Sequence, residues 1–303
     1  MITTLPTSAP DDSPVPPPPR LGRARLYVRR FARNRPAGAG VVIFLVLFGY
    51  AAIGGHVSRW NWSDQDFLAL TEPPGASHWF GTNQGGNDVF TQSAHGLQRS
   101  LVIALSVSVL TMVISAVVGA GAAYLGGRVE RWTLAVIHFL LVVPAFLILA
   151  LVSNRVSGDW RVLILLLTLF GWMFTARVIW SVSTSLRERD YVLMAEFMGV
   201  SRRRIVARHI IPHLGALLIV NLTLGVVTTV LSETALSFLG FGVKTPDVSL
   251  GSLLADGSVT ISSAPWLFAA PAGLLVLLTV ALTLIGDGLR DALDPTSTAG
   301  GHG

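Results

Sequence analysis

The sequence predicts an all-α polytopic membrane protein with six transmembrane helices and both termini in the cytoplasm, on three observations. Of 303 residues, 51% are hydrophobic and 13% charged, where a soluble domain carries about 25% charged residues. Six stretches hold no Asp, Glu, Lys or Arg: 36–58, 100–127, 132–154, 162–176, 209–232 and 257–286. Roughly 20 apolar residues suffice to cross a bilayer. The arginines are also unevenly placed. Seven lie between Arg20 and Arg35, two at Arg128 and Arg131, six between Arg187 and Arg208, and one at Arg290. With six crossings all of these share one side, while Arg59, Arg155, Arg161 and Lys244 fall on the other, so the positive-inside rule puts both termini in the cytoplasm.

Each element follows in order. Residues 1–19 hold seven prolines and little to bury, which predicts a disordered Pro-rich cytoplasmic tail. Residues 20–35 mix arginines with Leu21, Tyr27, Val28 and Phe31, the pattern of a basic helix lying on anionic membrane lipid. Arg29, Arg30 and Phe31 precede the first apolar run as in a twin-arginine export signal, but the run exceeds the 7–15 residues of a signal core, so 36–58 reads as a retained first span. An extracytoplasmic loop covers 59–98, with Trp60 and Trp62 near the outer boundary. The remaining five spans, over 99–290, form the core, and 291–303 is a cytoplasmic tail. In the second span Ser115, Gly119, Ala123 and Gly127 recur every four residues, a ladder that lets another helix approach closely. Pro144 and Pro271 are candidate kinks in the third and sixth spans. Arg177 interrupts the fourth, which resumes with Val178 and is expected to continue to about Ser185.

Several chemistries are excluded. There is no cysteine, hence no disulfide, thiolate metal site or thiol nucleophile. No HExxH or GxSxG is present, and Lys244, the one lysine, does not follow a glycine-rich phosphate loop, so the chain is not its own ATPase. His209 and His213 are four apart but straddle Pro212 without a carboxylate, a poor metal site. The net charge of +5 follows the membrane topology and does not point to nucleic acid. Arg177 and Glu233 are the two ionisable residues near membrane depth, either on a solute path or reaching an interface. The rise per residue puts them at opposite ends, so no pair between them is expected.

The stretch 191–214, YVLMAEFMGVSRRRIVARHIIPHL, breaks the membrane pattern. Asp190 is a candidate N-cap, Leu193, Met194, Phe197 and Met198 fall on one face, and Gly199 suits a left-handed turn. Ser201 is placed to cap a second, arginine-rich helix that Pro212 ends. The result is a helix, turn, helix on the cytoplasmic side, either lying on anionic lipid or docking a partner.

AEFMGVSRRRIVARHIIP resembles the EAA loop of bacterial ABC importer permeases, with Gly199 and Pro212 at that motif's glycine and proline spacing. Ala195 keeps its second alanine, followed by Glu196, while Leu193 and Met194 replace the glutamate and first alanine. HWFGTNQGGNDVFTQSAHGLQRSL (78–101), ETALSFLGFGVKTPDVSLGSLL (233–254) and IGDGLRDALDP (285–295) resemble the dipeptide/oligopeptide/nickel permease subfamily, in the order of its C-type subunit. Asn83 and Asn87 stand where that family usually has aspartate and arginine. The resemblance implies a type I ABC importer permease fold and a non-catalytic half of a translocation channel for a peptide, nickel or another small solute. It implies a second, B-type permease, two cytoplasmic ATPases and an extracytoplasmic substrate-binding lipoprotein as partners, with ATP and Mg bound by the ATPases and no cofactor in this chain. It further implies an EAA-like loop at 187–212 that docks an ATPase through Leu193, Met194, Ala195, Glu196, Phe197, Met198, Gly199 and Pro212. A secondary carrier would show a mid-membrane coupling carboxylate and an inverted repeat, and neither is found; a membrane scaffold would show no nucleotide-dependent partner.

Overall fold

A computed structural model describes residues 23–153 and 158–293. The Pro-rich tail expected over 1–19, Arg155, and the part of the final tail beyond 293 lie outside the described residues. Among the described residues there are eleven α-helices.

Helix α1 (Arg23–Arg33) and α2 (Arg35–Val57) are divided at Asn34, whose side-chain oxygen accepts from the Ala37 amide at 3.1 Å. Pro36 sits in the first turn, where its missing N–H costs nothing, and the helix restarts. Both helices lie against α11 (Trp266–Leu293). A methyl group at Gly40 would stand 2.8 Å from the Ala281 carbonyl oxygen, which measures how closely α2 and α11 approach.

Helix α3 (Val89–Leu125) runs 37 residues from its N-cap Asp88, which accepts from the Thr91 amide at 2.9 Å. Residues 89–98 are therefore helix and do not belong to the expected loop. Counting charge-free residues misses these turns because Arg99 separates them from the apolar stretch that starts at 100. The small-residue ladder serves packing: the Ser115 hydroxyl donates to the Trp172 carbonyl at 2.7 Å, and a methyl on Gly119 would stand 2.5 Å from the Ala176 carbonyl oxygen. Those carbonyls belong to α6 (Trp160–Arg187), which continues past Arg177 without a break.

The third span is broken. Helix α4 (Gly127–Val142) and α5 (Ala145–Ser153) meet at 72° around Pro144. Proline lacks an amide donor and forces its predecessor out of helical geometry; Val143 is accordingly extended. The pair still makes one crossing. At its start the Trp180 indole donates to Glu130 at 2.8 Å, beside the end of α3. Past its end Gly158 lies under Lys244, whose amide donates to the Gly158 carbonyl at 3.3 Å at the opposite end of the bundle. With five further helices long and apolar enough to span, this makes six candidate crossings among the described residues.

After α6 comes the eight-residue α7 (Asp190–Phe197), then α8 (Arg202–Ile205), a π turn (Val206–Ile210), a 3₁₀ turn (Ile211–Leu214) and α9 (Gly215–Phe238) with no intervening loop. Pro212 removes one backbone donor, and the irregular turns absorb the loss. The expected second basic helix is thus the bent base of the fifth span, whose regular part is 215–238. Residues 250–259 form a separate helix, α10 (Leu250–Val259), closed by a capping box at Ser249 and Ser252. The sixth span starts at Trp266 and not at 257, because 260–265 break the helix before it.

Helix α3 packs between α2, α6 and α9, and α11 closes the bundle against α2 and α9. One core cluster joins Leu47, Leu97, Leu101, Val230, Leu278 and Leu282. The bundle has two ends: a loop end, with 58–88 and α10, and an α7 end.

Candidate functional site

Three regions bear on function. At the α7 end, Val192 and Ala195 are buried among Tyr124, Ile179, Ile205, Ile210 and Leu214, so α3, α6 and the base of α9 grip the inner side of α7. Gly199 has φ +75, the left-handed conformation that glycine adopts without a steric penalty, and turns the chain back toward α8. The outer side of α7 is left bare: Leu193 is 41% exposed, Met194 63%, Phe197 86% and Met198 76%. Glu196 is exposed beside them. Two expectations change. Ala195 faces the chain's own core and is not on the outward face, and Asp190 is the first helical residue, not the cap: Arg189 holds the cap position, extended and with no side-chain cap bond. Ser201 precedes α8 without a side-chain cap bond. Pro212 sits in the 3₁₀ turn, and His213 stacks on Tyr191 (centroids 4.7 Å apart) with Nδ1 2.6 Å from the His209 carbonyl. Arg202, Arg203, Arg204 and Arg208 are exposed around this base.

Within the membrane-spanning part, a cavity of about 390 Å³ opens between α3, α5, α6 and α9. Apolar walls come from Val107, Met112, Phe146, Leu149 and Phe170, and polar groups from Ser108, Thr111, Thr175, Asn221, Thr228 and Ser232. On α9 the positions Asn221, Gly225, Thr228 and Ser232 recur at intervals of four, three and four, one face of a helix. Sequence reasoning missed this stripe, although its spacing was readable, because charge-based span finding ignores neutral polar residues.

At the loop end the segment 58–88 is folded. His78, 2% exposed, has Nδ1 2.9 Å from Asp88 and stacks on Trp60 at 4.9 Å. Asn83 accepts from the amides of Gly85 and Asn87 at 2.9 Å each and donates to Gln92 at 3.2 Å, while Asn87 donates to the Asp64 carbonyl at 3.0 Å. Neutral hydrogen bonds thus stand at the two positions where that family usually has aspartate and arginine. Nearby, Asp247 lies 2.9 Å from His95 Nε2 and 2.8 Å from Arg99 Nε. His95 stacks on Trp62 at 4.2 Å, and Arg99 covers Trp160 at 4.4 Å. This cluster ties the loop, α3, α6 and the 239–249 segment together. No local pattern announces it, since its members run from Trp62 to Asp247. On α10, burial pushes the Asp256 carboxyl above the usual carboxylate range.

Glu233 and Arg177 part company. Glu233 is fully buried, so an interface-reaching role is overturned: its carboxylate accepts from Ser100 at 2.9 Å and Ser237 at 2.7 Å. Ser100 in turn accepts from the Leu250 amide at 3.2 Å and Ser237 from the Val243 amide at 3.1 Å. Glu233 therefore fastens α3, α9 and the start of α10 to one another. Arg177 is exposed on α6, and the two residues make no pair.

A six-crossing helical bundle with a small gripped helix at one end and a folded loop at the other defines a multi-pass membrane permease. The chain belongs to the family of binding-protein-dependent transport system inner membrane components, whose model matches residues 115–298; its members work within ABC transporter complexes that contain other subunits. It is 45% identical over 277 residues to the oligopeptide transport system permease protein OppC of Mycobacterium tuberculosis, covering 91% of this chain and 95% of that protein. It is 35% identical to the dipeptide transport system permease protein DppC of Bacillus subtilis (91% and 87% covered) and 31% identical to OppC of the same organism (88% and 87% covered).

Proposed function

We propose that this chain is the C-type permease of an ATP-driven importer of di- and oligopeptides. It provides half of the translocation pathway, beside a second, B-type permease, and is moved by two cytoplasmic ATPases. Peptide arrives from an extracytoplasmic binding lipoprotein at the loop end, and both termini face the cytoplasm with the α7 end. The chain itself is non-catalytic and takes no cofactor; ATP and Mg belong to the ATPases. The relatives' names support peptide as the solute.

The observation that carries the docking assignment is the two-sidedness of α7. Three large apolar side chains on an eight-residue helix, and a fourth at its C-cap, stand in the open, while Val192 and Ala195 lock the same helix to α3, α6 and the base of α9. A small apolar face of this kind fits a groove in a partner, and its rigid inner contacts carry the partner's motion into the spans. Arg202, Arg203, Arg204 and Arg208 lie beside it and meet anionic lipid headgroups. The cavity between α3, α5, α6 and α9 is this chain's wall of the pathway.

Phe197→Asp combined with Met198→Asp tests the reading. Both side chains are bare, so folding and membrane insertion are unaffected, and a docked charge must be desolvated without a partner. Expected is loss of the ATPases during detergent purification, with the other permease retained. ATPase retention and peptide uptake at wild-type levels overturn the assignment.

A further inference from the structure

None of the side chains lining the cavity between α3, α5, α6 and α9 is ionisable. Its hydroxyls are largely committed to their own helices: Ser108 donates to the Ala104 carbonyl at 2.6 Å, Thr111 to Ser108 at 3.0 Å and Thr228 to Gly225 at 3.0 Å. These groups offer the cavity acceptor lone pairs alone. Donors come from elsewhere. Asn221 gives one N–H to the Leu217 carbonyl at 2.8 Å and keeps its second N–H and its carbonyl oxygen. Ser232 and Thr175 have no hydrogen-bond partner among the described residues. On a spanning helix such unfilled groups are costly against hydrocarbon, so the Asn221, Thr228, Ser232 face of α9 meets water or a polar ligand. The charges closest in sequence stay out of the lining. Glu233, next to Ser232, is buried against Ser100 and Ser237, and Arg177, two residues past Thr175, is not among the lining residues.

We propose that this cavity is a charge-neutral transit site for the peptide main chain, with Asn221, Thr228 and Ser232 as its hydrogen-bonding contacts. Alternating amide donors and acceptors match such a wall, and the apolar remainder accepts uncharged side chains. A fixed charge would raise the barrier for like-charged peptides, and a lining without one raises none. The site therefore passes acidic and basic peptides alike and leaves charge selection to other subunits. The inference rests on the pathway reading above.

The test installs a charge after folding. Thr228→Cys is a near-isosteric change in a chain with no other cysteine. The assembled transporter in proteoliposomes is treated with an anionic or a cationic methanethiosulfonate, the complex with the unaltered chain serving as background and mass spectrometry reporting modification. Uptake is followed for alanine tripeptides with a central glutamate or a central lysine. The expected result is a mirror image: the anionic adduct lowers uptake of the glutamate peptide at least tenfold relative to the lysine peptide, and the cationic adduct does the reverse. Equal loss for both peptides with both reagents overturns charge neutrality as the design of the site while leaving the pathway reading standing. A modified cysteine with unchanged uptake, or a cysteine that neither reagent reaches, overturns the pathway reading itself.

Discussion

Replacing Glu233 by leucine removes the acceptor for two hydroxyls in a dry site, Ser100 at 2.9 Å and Ser237 at 2.7 Å. A serine on a helix can swing its proton to a carbonyl one turn back, but here that escape is opposed. Each hydroxyl oxygen also accepts a backbone amide from the facing segment, Leu250 at 3.2 Å and Val243 at 3.1 Å, and swinging breaks that bond. An unsatisfied buried polar group costs about 1–3 kcal/mol, so Glu233→Leu is expected to lose roughly 2–6 kcal/mol from two such groups. Glu233→Gln keeps one acceptor and loses about 1 kcal/mol, the net worth of a single hydrogen bond. Thermal unfolding of the purified complex, followed by the fluorescence of the eight tryptophans, should rank wild type, glutamine, leucine in falling order. Limited proteolysis should reach the 239–249 segment first in the leucine variant, because that segment is what the network fastens. A leucine variant within about 0.5 kcal/mol of wild type, the range of a surface substitution, would refute the reasoning and return Glu233 to an interface.

Four further outcomes are expected. Cysteine at Leu68, 96% exposed, should react with an impermeant maleimide from outside the cell, and cysteine at Phe197 should not; reversed labelling refutes the orientation. Thr91, at 0% exposure, should stay silent from either side. Gly119→Ala should destabilise by about 1–3 kcal/mol through overpacking, since its methyl would meet the Ala176 carbonyl at 2.5 Å; unfolding temperature checks this. Asp256 is raised above its ordinary 3.8 by burial, so the folded state holds its proton more tightly than the unfolded one. Its contribution to stability is therefore largest at low pH and is lost as pH rises through the folded value. Asp256→Asn should accordingly unfold at a higher temperature than wild type at pH 7, with the advantage shrinking on acidification. Ala195→Asp should reduce the yield of folded permease, because the charge enters the chain's own core, whereas Phe197→Asp should leave yield intact.

Much of the membrane architecture was legible in the sequence, because lipid imposes a one-dimensional rule. A helix must hide its backbone and present apolar residues for about 20 positions, and the charge-free stretches record that requirement. The left-handed turn at Gly199 was readable for a similar local reason, and so was the bend at Pro144, although its 72° was not. Helix ends were less legible. Residues 89–98 and 250–259 are helical beyond the apolar stretches, where capping by Asp88 and by the Ser249 and Ser252 pair decides the matter and hydropathy is silent. The sequence placed Leu193, Met194, Ala195, Phe197 and Met198 on one short segment, but burial by Tyr124, Ile205 and Ile210 from distant positions decided that Ala195 faces inward while its neighbours stand bare. Glu233 shows the same division. Its depth along α9 follows from counting residues, whereas its role depends on Ser100, 133 positions away, whose hydroxyl meets it only when α3 crosses α9. Periodicity and composition act along the chain and can be read from it; hydrogen bonds between helices depend on which faces meet, and only packing in three dimensions chooses those.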